Sequence, residues 1–195
     1  MNTVVLVLRS GGDFSFRDVE LIVRHINSKW VSVEKPRIVC LSDIKYELDG
    51  VEFISFIKNW KGYWSKMELY SPDLEKYRPF LYIDLDTIIV NSLENIFALI
   101  ENESQFITIE DFYHKGQLET ALLWIPANSQ KISRIWEMCR NKGWSTDGGF
   151  LRRIVKPDNY WQRLTDSIID FKPKNSPLLS NVPLGVNLVC FHGKP

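Results

Sequence analysis

No charge of one sign dominates this chain. Its 24 Lys and Arg are matched by 24 Asp and Glu, for a formal net charge of zero. That balance removes the generic electrostatic footprint of a nucleic-acid or membrane-surface binder. Long apolar runs are missing too, so no segment reaches the roughly 20 residues that a membrane-spanning helix needs. The N-terminus, MNTVVLVLRSGGD, has neither a basic leader nor a small-residue cleavage site, so no signal peptide is expected. Cysteine is scarce and odd in number. Cys40, Cys139 and Cys190 lie far apart, and Cys40 and Cys190 sit in apolar runs. This excludes a disulfide scaffold and reads as buried thiols in a reducing, cytoplasmic setting. Repeats, linkers and low-complexity segments are absent, so the 195 residues are expected to form a single domain spanning 1–195.

What is present fits a globular α/β fold. Hydrophobic residues make up 45% of the chain, enough for a substantial core. The run 3–8 is continuously apolar, as in a strand buried on both faces. After a turn at Arg9–Asp13, Ser15 and Asp18 form a shortened capping box. Apolar residues at helical spacing then predict a helix over about 16–29. Strands are expected at 37–41, 51–57, 80–84, 105–109, 121–125 and 186–191. Helices are expected from near Trp64 to Pro72, over 93–100, around 132–139, and over 147–155. Strand and helix alternate through the first half, which predicts a mostly parallel sheet with helices on its faces. Ligands bind such sheets at the carboxyl ends of the strands. Arg9–Asp13, Asp84–Asp86 and His192–Lys194 all fall at such ends.

The segment FLYIDLDTIIV, residues 80–90, carries the strongest chemical signal. Asp84 and Asp86 end an apolar strand one residue apart, and residues i and i+2 of a strand share a face. Two convergent carboxylates suit a hard divalent cation, which in turn grips phosphate oxygens. A strand followed by a polar turn is the plain alternative. Asp is disfavoured within strands, however, and paired charge at an apolar edge is costly without compensation. Trp60 and Trp64 read as core aromatics that also shape a pocket rim, and His25 and His114 as ordinary surface residues.

Four motifs occur in order along the chain: Ser10-Gly11-Gly12-Asp13, then Gly62-Tyr63-Trp64-Ser65-Lys66-Met67-Glu68-Leu69, then Leu81-Tyr82-Ile83-Asp84-Leu85-Asp86-Thr87, and Phe191-His192-Gly193-Lys194-Pro195. Together they resemble the GT-A glycosyltransferases, in the branch of glycogenin and the lipopolysaccharide galactosyltransferases. The likeness is closer still to small bacterial proteins of that type. The resemblance implies a Rossmann-like, mostly parallel central sheet flanked by helices. It also implies transfer of a hexose from a nucleotide-sugar donor, UDP-linked, with retention, to a saccharide, lipid-linked or protein acceptor. It assigns Asp84, Asp86 and His192 to a divalent metal, Mn2+ or Mg2+. Gly193 and Lys194 are assigned to the diphosphate, and Leu8, Arg9, Asp13 and Leu85 to the nucleotide. Lys66 is to face the donor, and Asp147 to lie near the acceptor and the transferred sugar. These roles are chemically coherent, because metal and lysine charge stabilise a departing diphosphate.

The chain departs from the resembled pattern in two places. Glu119-Thr120-Ala121 stands where similar proteins carry Asn-Ser-Gly or Ser-Gly, and Asp147-Gly148 where they often carry Asp-Gln. The chain also stops at Pro195, where relatives often continue. Two other readings stay open. Residues 80–87 also fit the D-x-D-x-T strand of a haloacid-dehalogenase-type phosphatase, although several elements precede it here. An inactive nucleotide-sugar-binding module is the third reading.

Overall fold

The computed structural model describes residues 1–139, 146–171 and 182–191. Its first half alternates β1 (Thr3–Leu8), α1 (Phe16–Lys29), β2 (Arg37–Ser42) and β3 (Val51–Ser55). Two 3-10 segments, Gly62–Tyr70 and Pro72–Tyr77, then lead into β4 (Phe80–Ile83). The second half holds β5 (Ile88–Ile89), α2 (Glu94–Phe97), β6 (Ile107–Glu110), β7 (Leu118–Ile125) and α3 (Gln130–Cys139). It continues with α4 (Asp147–Ile154), β8 (Asn159–Tyr160), β9 (Ile168–Phe171) and β10 (Leu188–Phe191).

Seven strands form one sheet in the order β3-β2-β1-β4-β7-β6-β8. The first four of that order are mutually parallel. β7 runs antiparallel to both β4 and β6. This is the expected mostly parallel sheet, and its right-hand half turns back through β7. β1 shows why the sheet sits in the middle of the molecule, since all six of its residues are buried. Val4, Leu6 and Leu8 enter a core with Val19, Ile22 and Ile26 of α1. Val5 and Val7 enter the opposite core, with Met67, Leu69 and Tyr70 of the first 3-10 segment. The capping box is present as expected: the Ser15 N–H donates to Asp18 Oδ2 at 2.7 Å.

Three expectations need correction. The helix placed at Trp64 is a 3-10 segment followed by a second one. Ser71 caps the second at Asp73 N–H and Pro72 opens it, so no α-helix can run through. Buried Glu68 ties the first segment down by accepting the N–H groups of Ile57, Lys58 and Asn59 at 2.7, 2.8 and 2.8 Å. The apolar run after Asp86 is the two-residue strand β5. It joins β10 and β9 in a separate three-stranded sheet that the sequence did not suggest. The strand expected at 121–125 begins earlier, at Leu118, because its first residues pair with Glu110 and Ile109.

The parallel arrangement brings the carboxyl ends of β1, β2, β3 and β4 to one edge. β5, which follows β4 by one tight turn, takes β10 antiparallel beside it. Every site segment expected from the sequence therefore leads to one side of the sheet, as far as it lies within the described residues.

Candidate active site

Asp84 follows the last residue of β4 directly and is held there by its backbone. Its N–H donates to Ala121 O of β7 at 2.9 Å, and its own carbonyl accepts Thr87 N–H at 3.0 Å. Tyr82 precedes it by two residues on the same face of the strand, and the Tyr82 hydroxyl donates to Asp84 Oδ1. The other oxygen, Oδ2, accepts from Lys66 Nζ at 2.7 Å. The same ammonium lies 3.9 Å from Asp147 Oδ2, so it sits between two carboxylates from distant parts of the chain. Burial works against the Lys66 charge, but Asp84 and Asp147 outweigh it and hold the pKa above its ordinary value. Asp147 opens α4 and is itself buried, with Oδ2 accepting the Thr120 hydroxyl at 3.1 Å.

Asp86 completes the acidic group. Its Oδ1 is buried and has no hydrogen-bond partner among the described residues. Burial first, then the neighbouring Asp84, push its pKa up to about 6, against the pull of Lys66. Among the described residues, the centre thus sets one cation against three carboxylates. β10 runs alongside, with Leu188 opposite Ile89 and Val189 opposite Ile88. Continuing that register sets Cys190 opposite Thr87. The Cys190 thiol is pushed up by burial and by Asp84 and Asp86, so it is inert. Phe191 is the next residue and the last one described here. His192, Gly193 and Lys194 lie outside the described residues. Among those that are described, no group of three or more His, Cys, Asp or Glu side chains is arranged to hold a metal.

A second polar group lies at the ends of β1 to β3. Arg9 pairs with Asp43 at 3.7 Å, donates to Asn59 Oδ1 and lies 5.7 Å from the centre of the Phe56 ring. Ser10 N–H donates to Asp43 Oδ1 at 2.8 Å. Asp13 is exposed on the following turn. The side chains of Leu8 and Leu85 belong to the hydrophobic core, so only their backbones stand at the strand ends.

A third cluster adjoins Asp147. Arg152 of α4 donates from Nη2 to Asp111 Oδ2 at 3.1 Å and to Glu119 Oε1, and from Nε to Leu118 O at 2.9 Å. His114 Nδ1 lies 3.2 Å from the same Asp111 oxygen. Burial chiefly, with Asp111 and Asp147 adding to it and Arg152 opposing, lifts the Glu119 pKa to about 7. Asp111, despite its burial, stays below the usual carboxylate range, because it accepts the N–H groups of Tyr113 and His114 at 2.8 and 2.9 Å.

The sequence matches no family model and no curated protein. Its structure, in contrast, superimposes on solved enzymes. The galactosyltransferase LgtC, in complex with donor and acceptor sugar analogs, aligns with TM-score 0.65 and 12% identity over 98% of this chain and 87% of that one. The chain has the fold of these glycosyltransferases. The glycosyltransferase GlyE of Streptococcus pneumoniae TIGR4 aligns at 0.65 and 13% identity, over 99% of this chain and 55% of GlyE. The bifunctional glycosyltransferase WbbM aligns at 0.69 and 8% identity, over 99% of this chain and 46% of WbbM. The described helices include none long and apolar enough to cross a membrane.

Within this glycosyltransferase fold, the structure brings together Lys66, Asp84, Asp86 and Asp147, and sets Arg9 at the neighbouring strand ends. Sequence reasoning missed Tyr82, Asp43 and Arg152. Tyr82 was available from the period of two that joins it to Asp84. Asp43 was available from its place directly after β2. Arg152 carried no local signal, since its carboxylate partners lie 41 and 33 positions away.

Proposed function

We propose that this chain is a single-domain glycosyltransferase that moves a sugar from a nucleoside-diphosphate donor to an acceptor with the help of a bound divalent cation. The observation that carries the reading is the meeting of Lys66, Asp84 and Asp147 at the strand ends of this fold, with Asp86 Oδ1 buried beside them and without a hydrogen-bond partner among the described residues. A UDP donor, retention of configuration, a saccharide, lipid-linked or protein acceptor and a cytoplasmic setting come from the motif resemblance and the composition.

The donor set fits a hard cation, because an orphaned carboxylate oxygen on Asp86 faces a centre with more acid than base. Manganese or magnesium held by Asp84 and Asp86, with His192 as the motif's third ligand, would supply Lewis-acid stabilisation to the departing diphosphate. Lys66 adds fixed positive charge in the same place and keeps Asp84 from rotating. Asp147, fixed by Thr120, offers a carboxylate on the side of the transferred sugar and the acceptor. Arg9, with Asp43, Asn59 and Phe56 around it, forms the nucleoside end. Gly193 and Lys194 take the diphosphate in this reading. The phosphatase reading of residues 80–87 is disfavoured by the fold, which is that of solved glycosyltransferases.

Calorimetry tests the proposal. UDP binding is expected to require Mn2+ and to weaken at least tenfold in Asp86→Ala while the far-ultraviolet spectrum stays unchanged. UDP affinity that is equal in the variant and the parent overturns the reading. Release of UDP, GDP or CMP from the corresponding member of a panel of UDP-, GDP- and CMP-sugars then identifies the donor.

A further inference from the structure

α4 is poorly equipped to hold Asp147 by itself. It has eight residues, DGGFLRRI, and its second and third are glycines. Glycine weakens a helix relative to alanine, and so short a helix is marginal without tertiary support. Thr146 caps the first turn by accepting Gly149 N–H at 3.0 Å. That cap secures the helix start but does not fix the helix against the sheet.

Phe150 and Leu151 bury one face of α4 in the core, and two side-chain ties add a specific register on β7. At the start of α4, Thr120 bonds Asp147. Five residues further along, Arg152 reaches Leu118 O, Glu119 and Asp111 with one guanidinium. The planar fork suits such a multiple grip, and a lysine ammonium does not reproduce it. Leu118, Glu119 and Thr120 are consecutive on β7, so the helix is stitched to one strand at both ends. Asp111, just past β6, adds the other side of the hairpin.

We propose that Arg152 is a positioning residue: its clamp on the β6–β7 hairpin fixes α4, and so sets the place at which Asp147 faces Lys66. The structural part of the proposal stands by itself. Its catalytic part rests on the glycosyltransferase reading given above.

Gly148 supplies the control. A Cβ added there meets nothing within 4 Å among the described residues, whereas at Gly149 it would meet Thr146 Oγ1 at 2.9 Å. Gly148→Ala therefore stiffens α4 without touching the clamp. If Arg152 acts by holding the helix, Gly148→Ala restores part of what the loss of Arg152 removes.

The experiment compares the full-length parent, Arg152→Met, Arg152→Lys and the Arg152→Met/Gly148→Ala double variant by hydrogen exchange and by UDP release from UDP-sugars with Mn2+. In Arg152→Met, the amides of α4 are expected to exchange about tenfold faster while those of α1 are unchanged, with kcat falling about tenfold and donor KM staying within twofold. Arg152→Lys is intermediate, and the double variant recovers at least threefold in both readouts. Parental exchange of α4 in Arg152→Met overturns the clamp. Loosened α4 with parental kcat overturns the positioning role. So does loss of kcat that Gly148→Ala leaves untouched. If Arg152→Met does not fold, Arg152→Lys decides, and parental exchange of its α4 overturns the proposal. A parent that turns over no nucleotide sugar, yet shows the expected exchange pattern, removes the glycosyltransferase reading and leaves the clamp standing.

Discussion

Lys66 and Asp84 form an ion pair of 2.7 Å between residues 18 positions apart, one from a 3-10 segment and one from the end of the central strand β4. The pair is largely buried, and the ammonium also faces Asp147. Among the described residues, this cation is what makes the cluster of carboxylates tolerable.

Replacement of Lys66 by methionine should therefore destabilise the protein, even though methionine packs well. Removing one member of a buried pair strands the other charge. The expected loss near neutral pH is about 2 kcal/mol, below the fully buried case because both side chains keep some solvent contact. The loss should be smaller at acid pH, where proton uptake by Asp86 removes one negative charge from the cluster. Urea unfolding at two pH values measures this, and an equal loss at both would contradict it.

Asp86 should behave oppositely, as a site whose function costs stability. Its pKa is raised from 3.8 to about 6, so the folded chain holds that proton more tightly than the unfolded chain does. The associated stability is fully present below about pH 4 and is lost as pH rises through about 6. In metal-free protein, Asp86→Asn should thus raise Tm at neutral pH and leave it unchanged near pH 4. Added Mn2+ should raise the Tm of the parent and not that of the variant. Calorimetric scans with and without chelator test both statements.

Glu119 predicts a further pH effect, remote from Asp86. Burial, with Asp111 and Asp147 adding to it, raises its pKa from 4.5 to about 7, although Arg152 pulls the other way. Its contribution is again present below the ordinary value and lost as pH rises through about 7. Between about pH 5 and 8, the Tm of the parent should fall relative to that of Glu119→Gln, which has no proton to lose. Parallel Tm curves would refute the assignment.

The left half of the sheet was legible because its signals are local. β1 is an unbroken apolar run and α1 carries its own capping box. β4 announces itself by ending in two aspartates. The first 3-10 segment was misread because its apolar spacing suits an α-helix, while its true shape answers to Glu68 and the loop amides that this residue binds. β9 was missed because IIDF is short and is a strand only by virtue of pairing with β10. The same division applies to the site. Asp84, Lys66 and Asp147 lie in motifs that a reader can recognise. Arg152 and Asp111 belong to it only because the β6–β7 hairpin folds back over α4, and no spacing in the chain encodes that meeting.

Glu68 has one more consequence. Its carboxylate ties the loop that carries Asn59, the partner of Arg9, to the same short segment that carries Lys66. The two ends of the proposed donor pocket are thereby mounted on a single strut and cannot drift apart independently. On the glycosyltransferase reading, that strut keeps the nucleoside end and the phosphate end of the donor site at one separation.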